Sequence, residues 1–153
     1  MKVGDDCPDF SLPSTEGEFR LKEKLGKDKY IILYFYPRDD TPGCTAEACS
    51  FRDNMGVLTN YGAEVYGIST DSLESHKKFI QKYGLTFPLL SDRGAEVARL
   101  FDAYNSLFKA AKRKTFIISP EGKIAKIIEG VKPDEHVRLA REFLERRVSQ
   151  RPT

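Results

Sequence analysis

The sequence predicts an α/β fold, a central mixed sheet flanked by helices, and three features carry that expectation. Tyr30 to Tyr36 (YIILYFY) is apolar on both faces, as a strand covered from both sides must be. Helical and strand patterns then alternate from Cys44 onward, which gives βαβ units and parallel pairing. Two late apolar runs, Thr115 to Ser119 and Ile124 to Glu129, are joined by Pro120-Glu121-Gly122-Lys123, a turn that makes an antiparallel hairpin.

Taken in order, Phe10 to Leu12 and Glu18 to Leu21 alternate around the turn-rich Pro13 to Gly17 and predict an N-terminal β-hairpin at a sheet edge. Pro37 ends the strand Tyr30 to Tyr36. A helix from about Cys44 to Asn60 follows, then a strand at Glu64 to Ser69. The cap-like Asp71-Ser72 opens a helix at Leu73 to Tyr83. Phe87 to Leu90 reads as a strand and Ala95 to Asp102 as a helix, ahead of the late hairpin. Pro133 starts the last helix, in which Val137, Ala140, Leu144 and Val148 make an apolar stripe while the arginines face water.

The 153 residues fit a single domain, 1–153, without repeats or linkers. A net charge of +2, with 31% charged residues, gives no footprint for nucleic acid or an anionic membrane. No apolar run approaches the roughly 20 residues that span a bilayer, and MKVGDDCPDF has no apolar leader pattern. The expected location is cytoplasmic. Thiols stay reduced there, so the three cysteines are not expected to form a framework, and any disulfide should be transient.

Two of those cysteines lie in YFYPRDDTPGCTAEACSF, and they admit three roles: metal clamp, structural staple, or nucleophile with partner. On a helix, Cys44 shares the buried row of Ala48, Phe51, Met55 and Leu58, whereas Cys49 falls on a row with Asp53, Gly56 and Asn60. An intact helix holds their Cα atoms about 8 to 9 Å apart, beyond the roughly 7 Å that a disulfide spans. Zinc needs three or four ligands, and the other candidates are the distant Cys7 and two histidines, His76 and His136, which read as solvent-facing helix residues. Cys7 suits a small core position.

Cys44 has more around it. Opening a helix, its sulfur meets unpaired N–H groups and the positive end of the dipole, which favour the reactive thiolate. Pro42 and Gly43 fit a tight turn that brings backbone close, and Thr41 offers a hydroxyl. Glu47 favours the helix start but opposes the thiolate, so a cation from elsewhere is needed. Arg38 is local; Arg113, before the buried-looking Thr115 to Ile118, is the better candidate for a rigidly held guanidinium.

Pro37, Thr41 and Cys44 fall in the P-x-x-x-T-x-x-C pattern of peroxiredoxins, and Arg113-Lys114-Thr115-Phe116 resembles their R-x-T-F segment. Cys49 resembles the resolving cysteine of the peroxiredoxin Q subgroup, also called bacterioferritin comigratory proteins. Gly4 to Leu12 (GDDCPDFSL) resembles the G-x-x-A-P-D-F-x-L opening of the family, with Cys7 in place of the usual Ala; Ser119-Pro120 also departs from the usual Asp.

The resemblance implies a thioredoxin-like fold and a thiol peroxidase acting on hydrogen peroxide and alkyl hydroperoxides, recycled by thioredoxin or a similar dithiol. It implies Cys44 as the peroxidatic and Cys49 as the resolving cysteine, joined after turnover in an intramolecular disulfide. Thr41, Arg113 and Pro37 would complete the catalytic and substrate-binding set. No metal or organic cofactor is implied, and the chain is expected as a monomer or weak dimer. Two rivals remain: a thioredoxin-like disulfide reductase, disfavoured because C-x₄-C is not C-x-x-C, and a non-enzymatic binding module switched by its disulfide.

Overall fold

The computed structural model describes residues 1–149. The chain begins with a hairpin, β1 (Ser11–Ser14) and β2 (Gly17–Arg20), followed by the short α1 (Leu21–Lys24). Then come β3 (Tyr30–Phe35), α2 (Pro42–Asn60), β4 (Ala63–Ser69), α3 (Leu73–Tyr83), β5 (Leu89–Ser91) and α4 (Glu96–Leu100). A small hairpin, β6 (Tyr104–Asn105) and β7 (Ala110–Ala111), precedes β8 (Lys114–Ile118), β9 (Ile124–Ile128) and α5 (Pro133–Ser149). The main sheet has seven strands in the order β2-β1-β5-β4-β3-β8-β9. It is mixed: β3, β4 and β5 pair in parallel, and β8 runs antiparallel to both β3 and β9.

The two-sided apolar run of β3 explains the layering. Ile31, Leu33 and Phe35 point to one core with Phe116, Ile118, Phe101 and α4. Ile32, Tyr34 and Tyr36 point to the other, against α2, α3 and α5 through Cys44, Phe51, Phe79, Val137 and Leu144. Tyr34 stacks on Phe51 with ring centroids 4.6 Å apart. Gly67, its neighbour on β4, makes room: a Cβ there would lie 2.8 Å from the Tyr34 Cζ and 2.7 Å from the Leu89 Cδ2.

The expected element types stand, with shifted limits. β1 runs on through Pro13 and Ser14, which the turn reading had taken, because Thr15 and Glu16 suffice to reverse the chain and Leu12 pairs with Phe19. Ser72 caps α3, its hydroxyl accepting from the Ser75 N–H at 3.2 Å. α2 begins at Pro42, two residues before Cys44, because proline's fixed φ and absent N–H suit a first helical position. Pro42 and Gly43 are therefore helical residues and not a separate turn. The β6–β7 hairpin and α1 were not foreseen; elements this short carry too little periodicity to be read. Among the described residues no helix is long and apolar enough to cross a membrane.

Candidate active site

Thr41 is the N-cap of α2, with an extended backbone, and its carbonyl accepts from the Thr45 N–H at 2.8 Å. The N–H groups of Gly43 and Cys44 precede that first rung, so they belong to the set a helix leaves without an internal partner. Cys44 sits in this first turn, only 1% exposed. Its sulfur thus lies in a buried setting next to the positive end of a long helix.

The cation comes from the other side of the sheet order. β8 pairs with β3, which sets the residue just before β8 beside the start of α2. From there Arg113 Nη2 donates to Cys44 Sγ at 3.3 Å and Nη1 donates to Glu47 Oε1 at 2.8 Å. Burial works against the guanidinium charge, but Glu47 and Cys44 outweigh it and raise its pKa. Gly43 leaves the approach clear: a Cβ there would stand 3.0 Å from Arg113 Nη2. Glycine at position 43 is thus a matter of space for the arginine.

Glu47 is fully buried. Burial pushes its carboxyl up to about 8, against the pull of Arg113. Its second oxygen, Oε2, lies 3.7 Å from His136 Nδ1, and that nitrogen is 2.9 Å from Thr115 Oγ1. Burial, followed by the charge of Arg113, lowers His136 to about 4. Among the described residues, the buried side-chain atoms without a hydrogen-bond partner are Tyr34 Oη, Glu47 Oε2 and His136 Nε2.

The structure thus brings Cys44 and Arg113 together and adds Glu47 and His136. Thr41 stands three residues before Cys44, and its hydroxyl donates to the Arg38 carbonyl at 3.0 Å. Pro37 is half-buried on the segment between β3 and α2. Cys49 is half-buried on another face of the intact α2, and all three cysteines are free thiols. Cys7 packs at the edge of the core beyond the opposite sheet face, and burial, with the nearby Asp9 charge, pushes its thiol up to about 12, which disfavours its thiolate.

The two histidines correct the sequence reading. Both are fully buried, not solvent-facing, because each finds polar partners inside. His136 shares the apolar stripe of α5 with Ala140 and Leu144 at four-residue spacing, a signal that could have placed it inward. His76 bonds Asp39 Oδ2 at 2.7 Å and the Leu90 carbonyl at 2.8 Å. Tyr36 donates to Asp39 at 2.6 Å, and the Asp39 N–H donates to Asp71 at 2.9 Å. This network ties the segment leading into Cys44 to α3. Asp39, Asp71 and His76 bring potential metal-ligand atoms within 4.8 Å of one another, yet both Asp39 oxygens and Asp71 Oδ2 already accept hydrogen bonds.

The AhpC/TSA family pattern matches residues 3–127. Peroxiredoxin Bcp of Bacillus subtilis is 39% identical over 150 residues, 94% of this chain and 95% of that protein. Chloroplastic peroxiredoxin Q of Sedum lineare is 40% identical over 136 residues, 88% of this chain and 73% of that protein. The crystal structure of peroxidoxin BcpB from Mycobacterium tuberculosis superposes with a TM-score of 0.89 at 36% identity, covering 99% of each chain. A Xanthomonas campestris bacterioferritin comigratory protein, whose structures concern alkyl peroxide reduction, gives 0.82 at 32% identity over 90% of this chain and 91% of that one.

A thioredoxin-like fold with a buried thiol at a helix start, bonded to an arginine, and these relatives together define a thiol-dependent peroxidase. The chain belongs to the AhpC/TSA family and has Bcp and peroxiredoxin Q proteins among its relatives.

Proposed function

We propose that Cys44 is the peroxidatic cysteine of this peroxidase, with hydrogen peroxide and alkyl hydroperoxides as substrates. The observation that carries the reading is the 3.3 Å bond from Arg113 to the Cys44 sulfur at the start of α2. The thiolate attacks the terminal oxygen of ROOH. An S–O bond forms, the O–O bond breaks, sulfur is oxidised to sulfenic acid, and RO⁻ leaves and takes a proton to become ROH. Arg113 and the Cys44 N–H stabilise charge on the departing oxygen. Thr41 turns its hydroxyl from the Arg38 carbonyl to the bound peroxide, and Pro37 shields the sulfur.

Cys49 then attacks the sulfenic sulfur, releasing water and forming the Cys44–Cys49 disulfide, and a thioredoxin-like dithiol reduces it by exchange. No metal or organic cofactor enters these steps. The whole chain acts as one domain, monomeric or weakly dimeric, in a reducing cytoplasm, with neither nucleic acid nor membrane as partner.

The test is peroxide consumption coupled to a thioredoxin system. Cys44→Ser abolishes turnover, whereas Cys49→Ser supports one oxidation and then stalls at sulfenic acid or overoxidises. Full turnover by Cys44→Ser would overturn the assignment. A Cys7–Cys44 bond dominating mass spectra of the oxidised protein would make Cys7 the resolver.

A further inference from the structure

To become a thiolate, Cys44 must give up a proton, and the interior behind Arg113 offers a place for it. One guanidinium serves two acidic groups, Cys44 at 3.3 Å and Glu47 at 2.8 Å. With both ionised, two negative charges share one positive charge in a buried site, which favours protonation of one partner. Glu47 Oε2 turns away from the arginine and has no hydrogen-bond partner among the described residues, and neither has His136 Nε2. The imidazole Nδ1 stands 3.7 Å from that oxygen, and both side chains are fully buried. A bare carboxylate oxygen in such a place is costly, and protonating the carboxyl lowers that cost.

We propose that Glu47, with His136 beside it, forms a buried proton store for Cys44, holding one proton on the Glu47 carboxyl while Cys44 is a thiolate and yielding it when Cys44 is oxidised. The inference rests on Cys44 as the reacting thiol. On activation the Cys44 S–H bond breaks and the pair gains the proton. On attack, S–O forms and O–O breaks, sulfur loses two electrons to the peroxide, and the departing RO⁻ becomes ROH as the pair gives up its proton. The sum is balanced without any further acid. Glu47 and His136 do not touch the sulfur; they are positioning residues that act through Arg113.

The surroundings agree. The titratable groups facing the pair are Arg113 before β8, Cys44 on α2 and Tyr34 on β3, and burial raises Tyr34 so far that it stays neutral. Lys126 on β9 pairs with Ile117, two positions along β8 from Thr115. Asp134 and Glu135 lie in the first turn of α5 itself, Asp134 exposed and Glu135 half-buried. The raised carboxyl of Glu47 and the lowered imidazole of His136 put the stored proton on the carboxyl side.

The chain has two histidines, so ¹⁵N-histidine labelling of the full-length reduced protein gives one reporter and one reference. His136 stays neutral and its ring nitrogens report ionisation of Glu47; His76, held by Asp39 and the Leu90 carbonyl, is the reference. The His136 signal is expected to titrate near the Glu47 value of about 8. In Cys44→Ser, which removes the competing anion, that midpoint is expected to fall by about one pH unit or more. Identical midpoints in the two proteins, or no titration of the His136 signal, would overturn the proposal.

Alkylation of Cys44 against pH supplies the second reading. His136→Asn keeps a partner for Thr115 but cannot help hold the proton, so the Cys44 midpoint rises; Glu47→Gln removes an anion, so it falls. A merely structural role scales rates at every pH and leaves both midpoints in place, which would also sink the idea. Neither readout needs peroxide turnover, so failure here is distinct from failure of the peroxidase assignment.

Discussion

Arg113 is where geometry and chemistry coincide at the scale of one residue, since its planar fork reaches sulfur with one nitrogen and carboxylate with the other. Lysine keeps the charge but not two divergent donors in a fixed plane. Arg113→Lys is therefore expected to slow peroxide attack roughly 10²-fold, the usual cost of losing an oriented transition-state donor. Stopped-flow oxidation of Cys44 measures it, and an unchanged rate together with an unchanged alkylation profile would remove Arg113 from the site. Arg113 was legible because it stands before a strongly apolar strand and in a recognisable R-x-T-F segment. Glu47 was legible only as a repulsive charge, because sequence shows its place in the helix but not the arginine that comes from 66 residues away to meet it. His136 was misread as surface, since a lone histidine among charged neighbours looks solvated until its helix is packed. Its burial has a consequence for pH. The imidazole is neutral in the fold, lowered to about 4 from an ordinary 6.5, so an unfolded chain takes up the proton first. That contribution to stability is complete above pH 6.5 and is lost as pH falls toward 4. Cys7 acts at the other end: its thiol is raised from 9.0 to about 12, so its contribution holds below pH 9.0 and is lost as pH rises toward 12. Thermal melts of Cys7→Ala and His136→Asn are expected to be flatter than wild type in the alkaline and the acid window respectively; parallel curves would contradict the burial argument.

At the scale of an element, α2 carries most of the chemistry, and its first turn is built for access more than for stability. Proline opens it in the favoured first position, and glycine follows in a helix that would be firmer with alanine. The glycine is explained by the 3.0 Å that would separate a Cβ from Arg113 Nη2. Gly43→Ala is expected to leave thermal stability unchanged or raise it by up to about 1 kcal/mol, while peroxide oxidation slows roughly tenfold as the guanidinium shifts off the sulfur. Opposite signs of the two effects mark the role; a parallel loss of stability and rate would mean that the residue matters for folding alone. The body of α2 was readable from its apolar row, and so was the separation of the two thiols onto different faces. The start was set two residues late because Pro42 and Gly43 have turn preferences that are also N-terminal helix preferences, and only the backbone path from Thr41 decides between them.

At the scale of the whole molecule, the sheet divides the protein into a reactive and a quiet side, and that division was half visible in β3. Alternate residues of its apolar run feed two cores, one with α2, α3 and α5 and the other with α4 and the N-terminal hairpin. Composition and periodicity gave the layers; the strand order and the approach of β8 to the start of α2 follow from long-range pairing, which local pattern cannot encode. The division matters once Cys44 and Cys49 are to bond. An intact helix keeps their Cα atoms about 8 to 9 Å apart, whereas a disulfide needs less than roughly 7 Å. The turns between them must unwind. Doing so pulls Cys44, Glu47 and Ala48 from the core and breaks both bonds of Arg113. His136 on α5 loses the carboxyl it faces, so the first turns of α5 loosen as well. The far end of α2 stays, held by buried Leu58 and by the Tyr61 N–H bonded back to Val57 and Leu58. β3 is completely buried from Ile31 to Phe35 and paired on both edges, so it has no reason to open. Amide hydrogen exchange is therefore expected to be faster in the oxidised than in the reduced protein over Cys44 to Asp53 and the start of α5. It is expected to stay unchanged in β3, α4 and the N-terminal hairpin. The same unwinding exposes the disulfide to a reductant and takes Cys44 out of peroxide reach, so a single local opening both halts attack and permits recycling. Equal protection of Cys44 to Asp53 in the two states, with the Cys44–Cys49 bond verified by mass spectrometry, would refute the opening and require a strained bond within folded helix.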